Sequence, residues 1–364
     1  MENSLILKEK LFENHNQEDL TFDINNRKYI GSKYKLLKFI ENTILSKVAQ
    51  INIFIDGFAG TGVVANHFKK YAKKIISNDM LFSNYIINKV FLNSTESNVS
   101  INKIYKFIFE FNNAKPKKGY IFSNYGGTYF TYENAGIIDT IREKIEDLYL
   151  SGECTEQEQY VLLTSLLFAI DKVANTIGQY DAFLKNIGKS SYTKDGKHLI
   201  DSNVYKRLQL KVPKITYDGD NEVYNEDINI LIRRIKGDVL YLDPPYNNRQ
   251  YIDCYHVLEN IMKWNKPKLY GKTKKFSRNN LKSKYSYKKE VIPVFKELIT
   301  DSEVKHIFLS YNNEGIIDDK IIFEILSQKG KVDVFEEEYR IFGNGAGRSK
   351  KRLITERLFY CKVS

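Results

Sequence analysis

The sequence is poor in the residues that build disulfides and metal sites. It has three cysteines, Cys154, Cys254 and Cys361, with no close pair, and its five histidines are scattered along the chain. Neither a disulfide framework nor a zinc site is predicted, because both need paired thiols or clustered ligands. We therefore expect chemistry that requires no protein-bound metal.

Long apolar runs are also missing. The longest, residues 160–170, is interrupted by Thr164 and Ser165 and is too short to cross a bilayer. The amino terminus, MENSLILKEK, lacks the apolar core of a secretory signal. The sequence thus predicts a cytoplasmic protein with no membrane span. Its 364 residues, 42% hydrophobic and 28% charged, suffice for a large globular domain with an insertion.

Acidic residues are absent from residues 263–289, which we call the basic segment. This segment carries eleven Lys or Arg and five aromatic residues, whereas the other 45 basic residues of the chain are matched by 45 acidic ones. The whole net charge of +11 therefore lies in 27 residues. Such a mixture suits contacts with nucleic-acid phosphates and stacking on bases. A solvated loop is the alternative, since charge runs are usually exposed.

Strand-like and helix-like patterns alternate at both ends of the chain. Strand patterns occupy residues 51–56, 73–79, 238–243, 306–311, 332–342 and 352–363. Helical patterns lie within residues 29–48, 63–72, 81–93, 155–177 and 316–328. This alternation predicts an α/β sheet, and the interval of 181 residues from Gly62 to Asp243 predicts a mainly helical insertion. The short glycine-rich link before the last strand predicts a hairpin, so that strand should run antiparallel.

A glycine-rich turn, DGFAGTG at residues 56–62, follows the first strand pattern. Gly57, Gly60 and Gly62 allow a sharp turn and the close approach of a ligand, and the next helix offers free N–H groups. The spacing fits neither a dinucleotide motif nor a phosphate loop, so a purely structural turn is the alternative. Asp79 ends the second strand, where its carboxylate can accept hydrogen bonds from ribose hydroxyls or cap the following helix.

The sharpest motif is Asp243-Pro244-Pro245-Tyr246, directly after the apolar strand VLYL. The prolines end the strand and fix the backbone, so the Asp243 carboxylate and the Pro244 carbonyl can converge as two acceptors beside Tyr246. Two acceptors beside an aromatic face suit the exocyclic amino group of a planar base, whose nitrogen lone pair then points outward. The alternative is a simple strand stop with aspartate as a turn residue.

Together these motifs resemble those of the D12 class of adenine-specific DNA methyltransferases, which use S-adenosylmethionine. The resemblance rests on YIGSK, DGFAGTG and DPPYNNRQY and extends to KVANT, AFLK, YHVLENI and SYNNEG. It covers most of the chain from Tyr29 onward. The order, with the methyl-donor motif first, is that of the alpha group, and the chain is most similar to the methyltransferases of FokI-type restriction-modification systems.

The resemblance implies a Rossmann-like methyltransferase fold. A mostly parallel seven-stranded sheet with an antiparallel last strand would carry an inserted, mainly helical DNA-recognition subdomain. Residues 25–100 would bind the donor, residues 101–225 would form the target-recognition region, and residues 226–364 would hold the DPPY motif, the basic segment and a C-terminal hairpin. The implied partner is double-stranded DNA, and a cognate restriction endonuclease is a candidate partner.

The resemblance also implies the site residues. Those expected to bind S-adenosylmethionine are Tyr29, Gly31, Lys33, Asp56, Phe58, Gly60, Gly62 and Asp79. Those expected to hold the adenine are Asp243, Pro244, Pro245 and Tyr246, with Tyr246 stacking on the ring. Those expected to contact DNA are Arg249, Lys272, Lys274, Lys275, Arg278, Lys282 and Lys284. GAGRSKKR, at residues 345–352, is either a further phosphate contact or a plain turn.

The implied reaction is direct attack of the adenine amino nitrogen on the sulfonium methyl group, after the base has been flipped out of the duplex. The sequence contains no Pro-Cys dipeptide, which a cytosine C5 enzyme with a thiol nucleophile would need. Amino methylation of cytosine, usually with Ser in place of Asp243, is one alternative. Methylation of RNA or of a protein amide is another, and a catalytically silent DNA-binding protein is a third.

Overall fold

The structure is a computed structural model that describes residues 20–184, 187, 202–217, 220–341 and 352–364. Its contacts divide the chain into two compact units. The helical unit takes residues 1–30, 86–219 and 253–277, and the sheet unit takes residues 31–85, 220–252 and 278–364. Within the described ranges, no helix combines the length and the apolar character needed to span a membrane.

The strands and helices alternate as the sequence patterns predict. The strands are β1 (Thr21–Phe22), β2 (Ile51–Asp56), β3 (Ala72–Asn78), β4 (Val212–Pro213), β5 (Glu222–Tyr224), β6 (Lys236–Leu242), β7 (Glu303–Asn312), β8 (Gly330–Ile341) and β9 (Arg352–Val363). The α-helices are α1 (Leu37–Lys47), α2 (Val63–Phe68), α3 (Phe82–Leu92), α4 (Ile101–Asn112), α5 (Tyr120–Tyr125), α6 (Tyr132–Leu150), α7 (Glu156–Val173), α8 (Ile228–Leu231), α9 (Tyr251–Lys263), α10 (Val291–Asp301) and α11 (Asp319–Ser327).

Seven strands form one sheet in the order β5-β3-β2-β6-β7-β9-β8. The first five run parallel, whereas β9 is antiparallel to both of its neighbours. This confirms the predicted α/β fold, with a mostly parallel seven-stranded sheet and an antiparallel last strand. The last strand therefore lies between β7 and β8 and not at the edge of the sheet.

Continuous apolar runs in β2 and β6 suit strands that are covered on both faces. Ile55 and Leu240 are completely buried, and on one face they join a core that includes Phe295 of α10 and Ile322 of α11. Both helices are amphipathic, so their apolar faces pack on the sheet while their charged faces remain exposed. Burial of these faces holds the central strands in register.

The order of the strands reverses at β2, which lies between β3 on one side and β6 on the other. The register pairs Asp56 with Tyr241, and the N–H of Gly57 donates to the Tyr241 carbonyl at 3.0 Å. The carboxyl ends of the two strands are therefore level. In open α/β sheets ligands bind at this edge, at the point where the order reverses. The turn after Asp56 and the motif at Asp243 consequently share one end of the sheet.

The helical unit is organised around α7. Fifteen of its eighteen residues are buried, and its first turn is fixed by a reciprocal capping box between Thr155 and Glu158. Helices α4 to α7 lie within the interval predicted as a helical insertion. Contacts add residues 86–100 and 253–277 to this unit and assign residues 220–225 to the sheet unit. That this unit reads the target sequence stays a prediction.

Candidate active site

The turn after β2 needs glycine at three positions. Gly60 and Gly62 have φ values of 53° and 82°, in the left-handed region that favours glycine, and Gly62 precedes α2. At Gly57 a Cβ atom would lie 2.9 Å from the end of the Leu242 side chain and 3.3 Å from that of Ile228, so both side chains would have to shift. The turn therefore keeps its backbone close to the neighbouring strand and leaves room along its surface.

Asp56, the last residue of β2, is a buried carboxylate with one unused oxygen. It is 1% exposed, and its Oδ2 accepts a hydrogen bond from the N–H of Ala65 at 3.2 Å. Its Oδ1 has no hydrogen-bond partner among the residues that the structure describes. Burial, and then the charge of Asp243, raise the pKa of Asp56 well above its ordinary value. A donor or a cation at this oxygen would relieve that cost.

Asp79 follows β3 and ties three segments together. Its Oδ2 accepts from the N–H of Gly60 at 2.9 Å, and its Oδ1 accepts from the N–H of Leu81 at 2.8 Å and from Asn84 at 3.0 Å. These bonds fix the glycine-rich turn against the start of α3. Bonds to ribose hydroxyls, as predicted, would compete with these three bonds for the lone pairs of the carboxylate. They stay a prediction.

A small cavity of about 30 Å³ lies beside the glycine-rich turn within the sheet unit. Its lining residues are Gly57, Phe58, Asn78, Met80, Asp227, Ile228, Asn229, Ser283, Lys284, Tyr285, Val294 and Glu297. The wall thus combines apolar side chains with polar and charged groups. Lys284, predicted to contact DNA, lies in this wall.

Asp227 and Ile228 were missed by the sequence analysis. They follow β5, a strand of only three residues, which gives no alternating or helical pattern. Asp227 caps the short helix α8, since its Oδ1 accepts from the N–H of Asn229 at 2.9 Å. The signal that could have found them is an acidic residue directly before the apolar run INILI, at the third parallel strand end.

The DPPY motif begins directly after β6. Lys33 Nζ forms an ion pair with Asp243 Oδ1 at 2.9 Å without hydrogen-bond geometry, and Oδ2 also receives no hydrogen bond from the described residues. The Pro244 carbonyl likewise accepts none from them. The Tyr246 carbonyl accepts a hydrogen bond from the N–H of Ile316 at 3.0 Å. The Tyr246 ring packs edge-on against the Tyr311 ring, with 6.0 Å between the ring centres. Two acceptors therefore remain available next to a fixed aromatic ring.

Gly31 and Lys33 bring the YIGSK motif to the same loop. Gly31 has a φ of 73°, and a Cβ atom there would lie 2.9 Å from the Tyr251 hydroxyl and 3.7 Å from that of Tyr246. Lys33 is 4% exposed, and its Nζ lies 5.3 Å from the centre of the Tyr246 ring. Gly31 and Lys33 of YIGSK thus lie beside Tyr246 of the DPPY motif.

Lys33 also contacts a carboxylate that the sequence analysis did not select. Its Nζ lies 3.2 Å from Glu356 Oε1 on β9, and Glu356 is 1% exposed. Burial opposes the charge of Lys33, but Asp243 and Glu356 outweigh it and raise the pKa of Lys33 well above its ordinary value. Burial raises the pKa of Asp243 to about 6; Lys33 opposes this rise and Glu356 adds to it.

Tyr29 is the one predicted donor-binding residue that belongs to the helical unit. Its ring stacks on Tyr255 at 4.6 Å, and the guanidinium of Arg27 lies 5.2 Å from the centre of either ring. Arg27 is in turn paired with Asp171 at 2.8 Å. The described contacts of Tyr29 are thus aromatic and cationic, and its role at the donor stays a prediction.

The first half of the basic segment, in the helical unit, closes into a small loop. The N–H and carbonyl groups of Tyr270 and Lys275 bond each other at 2.6 and 3.0 Å. Between them Gly271 and Lys274 adopt positive φ values of 68° and 56°. Tyr270 and Lys272 are exposed, and no described carboxylate pairs with Lys272 or Lys274. Lys275 lies 3.9 Å from Asp253. The loop thus presents cations and one ring to solvent.

The second half of the basic segment, in the sheet unit, is fastened to the residues after DPPY. Gln250 accepts from the N–H of Ser283 at 2.8 Å and donates to its carbonyl at 3.0 Å. The Ser286 hydroxyl donates to the Arg249 carbonyl at 3.1 Å. Arg249 and Lys284 are exposed, while other predicted DNA contacts here, Arg278 and Lys282, are half-buried. Residues 345–351 of GAGRSKKR lie outside the described residues.

Comparison with known proteins decides the family. Residues 29–325 match the sequence model of the D12 class N6 adenine-specific DNA methyltransferases. The chain belongs to this family. It is 39% identical over 327 residues to the type II methyltransferase M.NlaIII of Neisseria lactamica, which covers 86% of this chain and 92% of that one. The resemblance seen in the motifs is therefore confirmed, and the D12 match extends across both units.

Longer relatives match over part of their length. The modification methylase StsI of Streptococcus sanguinis is 36% identical over 350 residues, 92% of this chain and 51% of its own. The type II methyltransferase M.FokI of Planomicrobium okeanokoites is 36% identical over 334 residues, 86% of this chain and 48% of its own. The chain thus spans about half the length of these two methylases and nearly all of M.NlaIII.

Proposed function

We propose that this D12 methyltransferase transfers a methyl group from S-adenosylmethionine to the amino nitrogen of a flipped adenine at a specific site in duplex DNA, as the modification enzyme of a restriction-modification system. The observation that carries the proposal is the pair of available acceptors, Asp243 Oδ2 and the Pro244 carbonyl, beside the Tyr246 ring. An amino group with two hydrogens and a planar ring satisfies all three groups at once.

The residues present fit S-adenosylmethionine. The carboxylates of Asp56, Asp79 and Asp243 lie at one edge of the sheet, and Lys33 pairs with Asp243. One oxygen of Asp56 is buried without a hydrogen bond from described residues. A ligand with a sulfonium and an ammonium group complements such a set. Asp227 and the apolar side chains in the wall of the neighbouring cavity are candidates for contacts with the adenosine part.

When bound, S-adenosylmethionine supplies an activated methyl group on its sulfonium sulfur. Asp243 Oδ2 and the Pro244 carbonyl would accept the two amino hydrogens of adenine, which directs the nitrogen lone pair away from them. Tyr246 would hold the ring by stacking. The nitrogen forms its new bond to carbon as the bond from carbon to sulfur breaks. The Asp243 carboxylate, with a pKa of about 6, is mostly ionised at neutral pH and can take the proton that the nitrogen then loses.

Contacts with DNA would divide between the units. Flipping a base costs a few kcal/mol, and contacts with the phosphates on either side can supply that energy. The cations of the loop at 270–275 and the exposed Arg249 are candidates for these contacts. Reading of the target sequence is assigned to the helical insertion. A cognate restriction endonuclease is the partner that this role proposes.

The experiment that tests the proposal follows a labelled methyl group from S-adenosylmethionine into host genomic DNA and into RNA. Digestion to nucleosides and chromatography should give N6-methyladenine from DNA with the wild type and none with Asp243→Ala. N4-methylcytosine, label in RNA alone, or equal label with Asp243→Ala would refute it. Sequencing DNA for methylated adenine would then show whether one site is modified.

A further inference from the structure

Three buried side chains from distant parts of the sequence meet beside the DPPY motif. Lys33 Nζ lies 2.9 Å from Asp243 Oδ1 and 3.2 Å from Glu356 Oε1. The side chains of Lys33, Asp243 and Glu356 are 4%, 15% and 1% exposed. Lys33 therefore connects the catalytic loop to the last strand of the sheet, and it does so where water has little access.

Burial of the Glu356 carboxylate costs free energy of folding. The register of β9 turns it inward with Ile354 and Leu358, both of which are buried. The Ser310 hydroxyl of β7 donates to Glu356 Oε1, but Oε2 has no hydrogen-bond partner among the described residues. A buried ion pair is a poor source of stability, because desolvation offsets its attraction. Packing alone therefore does not account for a carboxylate with an unpartnered oxygen at this position.

The contacts of Lys33 determine which oxygen of Asp243 is available. The Lys33 ammonium lies between Glu356 Oε1 and Asp243 Oδ1, and Oδ2 of Asp243 receives no bond from the described residues. Without the glutamate, Asp243 is the remaining carboxylate within 4 Å of Lys33 in the described chain. The ammonium would then settle on Asp243 and occupy the acceptor that the incoming amino group needs.

We propose that Glu356 is a positioning residue for methyl transfer, which fixes the Lys33 ammonium so that one oxygen of Asp243 stays available to the amino group of the base. The inference rests on the proposed function, because it assigns Asp243 the role of acceptor. It adds a residue of the final strand, outside the glycine-rich turn and the DPPY motif.

The charges around Asp243 give this proposal a signature that a purely structural role lacks. Asp243 faces Lys33, Glu356, the hydroxyls of Tyr241 and Tyr246, and Asp56 of the neighbouring strand. Removing the charge of Glu356 takes away a like charge and leaves Lys33 to Asp243 alone. Both changes favour the ionised carboxylate, so the pKa of Asp243 should fall. Removing Lys33 should move it the other way.

The test compares Glu356→Gln with Glu337→Gln, which changes an exposed glutamate directly opposite on β8. Glu356→Gln should lower kcat about 10- to 100-fold, as misplacement of a reacting group does, with KM for DNA and for S-adenosylmethionine within about threefold. The acid limb of its pH profile should move to lower pH, and that of Lys33→Met to higher pH. In the Lys33→Met background, Glu356→Gln should cause little further loss. Glu337→Gln should match the wild type throughout.

A measurement without substrates keeps this inference separate from the proposed function. In protein labelled with 13C at aspartate carboxyls and assigned with Asp243→Asn, the titration of Asp243 should move to lower pH in Glu356→Gln. An inactive wild type would refute the proposed function, while this titration would still test the arrangement. Wild-type kcat in Glu356→Gln, or an Asp243 titration that stays or moves upward, would overturn the inference. If Glu356→Gln does not fold, Glu356→Asp decides: its shorter side chain withdraws the carboxylate from Lys33 and Asp243, so the titration should shift in the same direction by less, and no shift would overturn the inference.

Discussion

Asp243→Asn should make the ligand-free protein more stable at neutral pH while abolishing methyl transfer. In the folded chain burial raises the pKa of Asp243 to about 6, even with Lys33 at 2.9 Å, from an ordinary value of 3.8. A carboxyl group with a raised pKa stabilises the folded state when it is protonated and loses that contribution as the pH rises through about 6. Asparagine does not ionise, so the variant does not lose stability in this way as the pH rises.

The magnitude follows from the two pKa values. At 1.36 kcal/mol for each pH unit, the gap between 3.8 and about 6 corresponds to about 3 kcal/mol. Below pH 4 the variant and the wild type should differ little, because aspartate is then protonated in both states. The advantage of the variant should grow between pH 4 and 6 and level off near pH 7. Lys33 keeps Glu356 as a partner, so the substitution leaves it paired.

Urea denaturation at constant ionic strength, from pH 4.5 to 7.5, measures the difference in unfolding free energy directly. Asp238→Asn is the matched control at the other end of β6. Burial opposes the ionisation of Asp238, but Lys305 and the N–H groups of Ile53 and Asn52 outweigh it and lower its pKa. That variant should therefore lose stability as the pH rises. A difference for Asp243→Asn that is independent of pH, or that falls as the pH rises, would refute the reasoning.

Three further outcomes are expected. Replacing Lys272, Lys274 and Lys275 together with Gln should weaken binding to all duplexes alike and flatten its salt dependence; a changed methylation site with an intact salt slope would place recognition in this loop. Asp79→Ala should weaken S-adenosylmethionine binding by about 1 to 3 kcal/mol in calorimetry, whereas unchanged affinity would limit Asp79 to fixing the turn. A target adenine opposite a mismatch should bind more tightly than a paired one, and Tyr246→Ala should lower that affinity by about 1 to 3 kcal/mol. Equal affinity for both targets in both proteins would remove flipping from the mechanism.

Local patterns predicted most of the sheet. The strand at residues 51–56 has the bounds read from its apolar run, because a strand buried on both faces carries its own signal. The helix expected over residues 63–72 ends at Phe68 because pairing with β2 takes Ala72 into β3. Tertiary pairing there overrides helix propensity. The three-residue strand at 222–224 is too short to give a pattern, so the cavity residues after it were not foreseen.

Some residues of the candidate site could likewise be predicted from local sequence patterns, and others could not. Asp243 and Gly62 stand in motifs whose residues are adjacent in sequence, so a short pattern suffices to find them. Glu356 has no such motif: its local signal is one charged residue at an inward position of an alternating strand, between Ile354 and Leu358. Its significance depends on Lys33, which comes from the other end of the chain. No local pattern contains that contact.

The placement of β9 between β7 and β8 affects the order in which the protein folds. Lys33 is synthesised 323 residues before Glu356, yet the two side chains meet at 3.2 Å. Contacts between residues so far apart in sequence form late, because a long stretch of chain must be ordered first. A nascent chain can therefore fold its first strands and its helical insertion while the pocket for the base is still open on one side. We expect methylation to begin only when the final strand is inserted, so that a chain truncated before Arg352 is an inactive intermediate with an unpaired β7 edge.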